Sequence, residues 1–177
     1  MLFPKPLALL ASLATTTNAL YFHLTSFRAS DIRIPSESHA VSFTISNPDA
    51  VTEQGGNTPA NCSISWTTPT PPTCYTPCVA TDSGWGYYAL LSPTYAGAYN
   101  FTLRIQEYFA YRNSVLNTVS IPVVEGSAEW GCSRGGQSIQ CNFRNEESRY
   151  DTEFETAYGG GKVGTICAVA GTGPTPY

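Results

Sequence analysis

The stretch that decides the fold is residues 85–108, WGYYALLSPTYAGAYNFTLRIQEY. In its second arm Tyr99, Phe101, Leu103 and Ile105 alternate with Asn100, Thr102, Arg104 and Gln106. A period of two places one set against a core and the other toward water, so this arm is a strand. Ser92-Pro93 and Ala96-Gly97 punctuate the middle as turn signals, making the whole a hairpin. The same alternation recurs outward in both directions. Residues 21–28 (YFHLTSFR) predict a first strand, with Phe22, Leu24 and Ser26 on one face and Tyr21, His23, Thr25 and Phe27 on the other. Val41, Phe43 and Ile45 predict a second strand that stops at Asn47-Pro48, and Cys62, Ile64 and Trp66 a third.

Residues 31–38 read as a connection and 67–77 (TTPTPPTCYTP) as a stiff surface loop, because proline fixes φ and removes a ladder donor. Residues 115–124 predict another strand, and 129–143 a hairpin turning at Gly135-Gly136. Residues 145–155 (NEESRYDTEFE) are the charge-rich window, expected as a helix turn or polar loop. Gly159-Gly160-Gly161 is expected to be a joint, and 162–170 a last strand. Roughly eight to ten short strands at near-regular spacing predict an all-β chain, an antiparallel β-barrel or sandwich stapled by disulfides.

The N-terminus reads differently. Residues 1–19 hold Lys5, an apolar run at 7–14 and small residues up to Ala19, the order of a secretory signal peptide. This leaves a single domain at 20–168 and a flexible tail at 169–177. No later apolar run approaches the ~20 residues of a spanning helix, so no membrane anchor is expected and the product is secreted. Removing Lys5 leaves eight basic against thirteen acidic residues, a formal charge of −5. With 42% hydrophobic and 12% charged residues the chain forms a core, and its acidic balance argues against a nucleic-acid partner. The six cysteines, Cys62, Cys74, Cys78, Cys132, Cys141 and Cys167, predict three disulfides in an oxidising compartment. Cys132 and Cys141 flank the hairpin turn and form the local pair. Of the pairings that remain we take Cys62 with Cys78 and Cys74 with Cys167, which ties down the C-terminal segment. Two glycosylation sequons begin at Asn61 and Asn100.

A serine-nucleophile elbow is absent from the sequence. A histidine-based triad or a two-histidine metal site would have to use His23 or His39. His23 on an aromatic strand is expected to be a half-buried packing residue and His39 a surface one. Carboxylates for glycoside hydrolysis would come from Glu107, Glu125, Glu129 or Asp151. The acids Glu146, Glu147, Asp151, Glu153 and Glu155 lack the ligand spacing of a calcium loop and read as a solvated face. The expectation is therefore no catalytic residue, no metal and no cofactor. Among the aromatics, Trp66, Trp85 and Trp130 are expected mostly in the core. Trp85, Tyr108 and Tyr111 are the candidates for contact with a ligand.

The order of features (an aromatic strand at 21–28, Val41-Ser42-Phe43-Thr44-Ile45, Cys62 with Trp66, a proline-broken loop to Cys78, Phe101-Thr102-Leu103-Arg104-Ile105, and a Trp130-Gly131-Cys132…Cys141-Asn142-Phe143 hairpin) resembles the fungal secreted proteins related to the Alternaria major allergen. The resemblance runs from Tyr21 to Phe143. It implies a disulfide-stapled β domain secreted by a fungus, without enzymatic activity, that acts as an effector or allergen-like factor. The partner would be a host protein or a cell-wall glycan. A carbohydrate-binding module using exposed aromatics is the alternative. The family's founding member dimerises through a disulfide; an even cysteine count and the added Cys167 depart from that pattern, so no such dimer is carried over.

Overall fold

The computed structural model describes residues 20–50, 57–78, 85–111, 113–144 and 149–168. The expected signal peptide at 1–19 and tail at 169–177 lie outside the described residues. Among the described residues, eleven strands follow one another: β1 (Tyr21–Ile32), β2 (Ser38–Ser46), β3 (Ala60–Trp66), β4 (Thr76–Pro77), β5 (Trp85–Leu91), β6 (Asn100–Tyr111), β7 (Asn113–Val124), β8 (Trp130–Gly135), β9 (Ser138–Phe143), β10 (Arg149–Glu153) and β11 (Thr156–Gly159). They form two antiparallel sheets. The first has the order β3-β2-β1-β9-β8, with β10 also paired to β1, and the second the order β11-β7-β6-β5-β4. Neither closes into a barrel, so of the two expected architectures the chain takes the sandwich.

The alternation read in residues 99–106 is the alternation of β6. Phe101, Leu103 and Ile105 are buried between the sheets, as are Ala89 and Leu91 of β5 and Val119, Ile121 and Val123 of β7. The first sheet answers with Phe22, Leu24, Val41, Phe43, Ile45, Cys62 and Ile64. Trp130 is 1% exposed and meets Phe27 at 4.5 Å and Phe143 at 4.8 Å between ring centroids. Removing such a ring costs about 3–5 kcal/mol in a close-packed core.

Four boundaries differ from the sequence reading. β1 runs on to Ile32, through residues expected to be a connection, and carries a bulge between Thr25 and Arg28 with Ser26 at φ 54°. The extra residue reverses the facing of everything after it. Phe27, Ala29 and Asp31 therefore join Phe22 and Leu24 on the inner face, and Phe27 does not share a side with Tyr21 as its odd number suggested. The bulge also bends β1 enough to serve two partners along one edge, β10 at Tyr21–Thr25 and β9 at Arg28–Ile32. The charge-rich window holds a strand, β10, and not a helix turn, because its alternating Tyr150 and Thr152 find a partner in β1. The short β4 closes the proline-rich segment.

The last strand is β11, earlier than expected. Beyond it the chain crosses the outer face of the second sheet as a strap rather than a strand. Gly161 passes so close to β7 that a Cβ there would sit 2.6 Å from Leu116, which explains why Leu116 is buried although it points away from the core. Gly164 donates its N–H to Gln106 Oε1 at 3.3 Å, and Ile166 forms a parallel bridge with Tyr75. Three disulfides join Cys62 to Cys78, Cys74 to Cys167 and Cys132 to Cys141, the pairs taken from the sequence. The Cys74–Cys167 bond anchors the strap, and its separation of 93 residues gives it the largest entropic leverage of the three, about 4–5 kcal/mol on loop-closure grounds.

Candidate functional site

The chemistry-bearing side chains gather in three places: a polar group at each end of the sandwich interior, and the outer face of the first sheet.

At one end, Glu107 of β6 is completely buried. Ladder pairing sets it between Tyr87 of β5 and Asn117 of β7. Its Oε2 accepts from Asn117 Nδ2 at 2.7 Å and from Asn47 Nδ2 at 2.8 Å, the latter reaching across from the end of β2. The Tyr87 hydroxyl donates to the same carboxyl group and accepts from the Asn47 backbone N–H. Burial first, and the neighbouring Glu107 second, push the Tyr87 phenol well above its ordinary 10.0. All these donors are neutral, and together they bridge the two sheets.

At the other end, Asp31 of β1 takes the equivalent place. Its Oδ1 accepts from Tyr95 Oη at 2.6 Å and meets His39 Nδ1 at 2.7 Å, while Oδ2 accepts the Ala98 backbone N–H at 2.7 Å. Gly97 (φ +138°) lets the turn approach, since a Cβ there would crowd Tyr99 at 2.6 Å and Asp31 Oδ2 at 3.2 Å. His39 lies flat on Trp66, centroids 5.1 Å apart, and Tyr95 meets Trp66 edge-on at 5.1 Å. The side chain of His39 is 10% exposed, so it is not the surface residue its position suggested. Its Nε2 faces Glu37 Oε1 at 3.2 Å, leaving both ring nitrogens engaged by carboxylates. Burial, then the bond to Asp31, drives the Tyr95 phenol above its ordinary range.

Of the residues considered for catalysis, Glu107 and His39 fall in these two groups. The acids considered for glycoside hydrolysis take separate partners: Glu107 the amides and tyrosine just described, Glu125 the guanidinium of Arg134, and Asp151 the Nδ1 of His23 at 2.5 Å. Glu129 is exposed. Glu146 and Glu147 lie outside the described residues, and among the described residues no cluster of three or more His, Cys, Asp or Glu side chains is placed to hold a metal ion.

Of the expected ligand contacts, Tyr108 is half-buried on β6, paired with Gly86 on one side and Leu116 on the other. The backbone register pairs Trp85 with Phe109 and Tyr111 with Asn113, but the side chains of Trp85 and Tyr111 lie outside the described residues. The structure therefore assembles no described platform from these three. Both sequon asparagines are exposed, Asn61 on the edge strand β3 and Asn100 at the start of β6.

The first sheet's outer face is an open surface. Its rows follow from the register. Asn61 lies opposite Thr44, and Thr44 opposite Thr25. In the next row Ser63 lies opposite Ser42, and Ser42 opposite Arg28. A third row runs from Ser65 through Ala40 to Ser30 and Gln140. All of these side chains are exposed or partly exposed, their alternates being the core residues. Thr44 donates to Asn61 Oδ1 at 2.9 Å, and Arg28 to Gln140 Oε1 at 2.7 Å, so several are already held in place. Where β1 meets β10, a shallow groove of about 270 Å³ opens beside this face, lined by Tyr21, Asp151, Thr152 and Glu153. No sequence signal pointed here. Serine and threonine alternating with apolar residues read only as the solvent side of a strand, and the grid exists only once three strands are in register.

Comparison of the chain with protein-family models, with curated proteins and with solved structures gives no match.

Proposed function

We propose that this is a secreted binding protein, an effector- or allergen-like factor of the kind implied by the resemblance to the Alternaria major allergen family, that engages a host or cell-wall component without catalysing a reaction. The observation that carries this reading is the open outer face of the first sheet, set on a sandwich whose interior acids Glu107 and Asp31 are engaged in holding the sheets together. Binding of this kind favours a preorganised surface, because little freedom is then lost on contact. Three disulfides suit an extracellular setting and restrict the openings through which proteases attack. The test is retention: tagged protein incubated with soluble host extract and with washed wall fragments should be held by one of them through several washes. Free passage over both, or steady turnover of a wall or protein substrate, would overturn the proposal.

A further inference from the structure

We infer that Asn100 carries an N-linked glycan, and that this glycan shields an exposed apolar patch and an open sheet edge at the end of β7. The inference rests on the secreted reading above, since the transferase acts on chains in the secretory route.

Two sequons are legible in the sequence, and the fold gives them different surroundings. Asn100 opens β6 with its side chain exposed, and its partner across the ladder is Val124. Thr102, the hydroxyl residue of the sequon, faces Pro122 in the next row. These four share the outer side of the second sheet, because their neighbours Phe101, Leu103, Ile121 and Val123 are core. Val124 is a large apolar side chain left 45% exposed, and Pro122 beside it is exposed as well. Directly opposed Cβ atoms lie about 4.5–5.5 Å apart, so a sugar ring bonded to Asn100 Nδ2 reaches Val124 with its C–H face.

The backbone at this corner is open too. β11 pairs with β7 only at Val115, Leu116, Asn117 and Thr118, so among the described residues the edge of β7 from Val119 to Val124 has no partner strand. The Ser92 N–H donates to the Thr102 carbonyl at 2.9 Å on the β5 side. Thr102 and Pro122 are therefore a pair without mutual hydrogen bonds, and the Pro122 backbone turns toward the open edge. Proline there removes one donor, which blunts the edge against the addition of a second chain. A branched sugar anchored one row away, over Val124, blocks the same approach by bulk. Asn61 has no such setting: its ladder partner is Thr44, whose hydroxyl donates to Asn61 Oδ1 at 2.9 Å. The Asn100 glycan also stands on the opposite side of the sandwich from the first sheet's outer face, and leaves that face free.

The chemical step is a glycosyl transfer. The sugar's C1 leaves the phosphate oxygen of a polyisoprenyl diphosphate carrier and bonds to Nδ2, the amide gives up one proton, and the lipid diphosphate departs.

The experiment produces the full-length chain in a secreting eukaryotic host. Peptide N-glycosidase in heavy-oxygen water should convert residue 100 of the secreted protein to labelled aspartate, and Asn100→Gln should remove one glycan's mass from the intact protein. Stripping the sugar from folded Asn61→Gln protein should raise the fraction eluting as dimers and larger species several-fold, and Asn100→Gln should do the same. Asn61→Gln with its remaining sugar in place should not. Adding Val124→Lys to Asn100→Gln should return the elution to that of the glycosylated protein, because a lysine also guards an edge. Secreted protein with a bare Asn100, stripped protein that does not associate, or association that Val124→Lys leaves unchanged would overturn the inference. A chain that stays in the cell uncleaved sinks the secreted reading itself, whereas one secreted with a bare Asn100 leaves that reading standing.

Discussion

The two ends of the sandwich interior solve one problem with different chemistry. Each places a single carboxyl group between the sheets. Glu107 is wholly buried and surrounded by amides and a phenol, all of them neutral. Asp31 is 9% exposed and is held by a phenol, a backbone N–H and an imidazole that itself touches a second acid, Glu37. At the amide end the carboxyl group is held by the side chains of Asn47, Asn117 and Tyr87. The histidine end is edged by exposed chain at Ile32 and Ile34. A buried polar group is expensive once its partners go, and more so the deeper it lies. The amide end should accordingly be the stiffer of the two.

The sharpest way to break that contrast is truncation. Glu107→Ala leaves Asn47, Asn117 and Tyr87 without their shared acceptor and opens a cavity, so urea denaturation should show a loss of about 3–5 kcal/mol. Asp31→Ala should lose about 2–3 kcal/mol, because water reaches its donors more readily. Equal losses would remove the distinction. Alkaline titration comes next. Tyr87 and Tyr95 both have phenols raised above 10.0 by burial, so the fold holds them neutral. Their contribution is complete below pH 10 and declines as pH rises, since the unfolded chain ionises them first. The slope should approach about 1.4 kcal/mol per pH unit for each tyrosine. Tyr87→Phe or Tyr95→Phe should each flatten the decline by one tyrosine's share, read from urea midpoints over about pH 9–11; a slope unchanged in both variants would contradict the burial argument.

A smaller effect separates the roles of His39. His39→Phe retains a ring against Trp66 and loses the contact with Asp31, which should cost about 1–2 kcal/mol. A loss close to that of Asp31→Ala would mean the imidazole carries the whole end. The smallest prediction concerns the bulge that brings Asp31 inside. Ser26 adopts φ 54° while exposed, so Ser26→Gly should raise stability by about 0.5–1 kcal/mol without changing any partner. A decrease would indicate that the serine side chain supports the bulge.

Much of this architecture was legible in one dimension. Tyr99 to Gln106 reads as a strand because side-chain direction has a period of two wherever a chain is extended, and one buried face needs one apolar set. Cys132 and Cys141 read as a pair because a two-glycine turn brings them opposite each other. Apolar alternation likewise marks β2, β3 and β7. These are local properties, carried by neighbouring residues. The facing of Phe27 and Asp31 was not legible, because one residue near Ser26 slips the phase and nothing in YFHLTSFR marks it. Nor was β10 legible: its charges look like solvent-facing loop until β1 supplies an edge for it to pair with.

The same division holds for the candidate site. Sequence by itself determined an all-β chain with an even set of cysteines and an apolar core, since periodicity and covalent pairing need no knowledge of the rest of the molecule. Only the tertiary structure decided which acids are buried and which polar residues share a face. Asp31 and His39 meet across a strand pair, Glu107 and Asn47 across two sheets, and Asn61, Thr44 and Thr25 across three strands in register. Register and sheet packing are relations between distant segments, and no residue carries them alone.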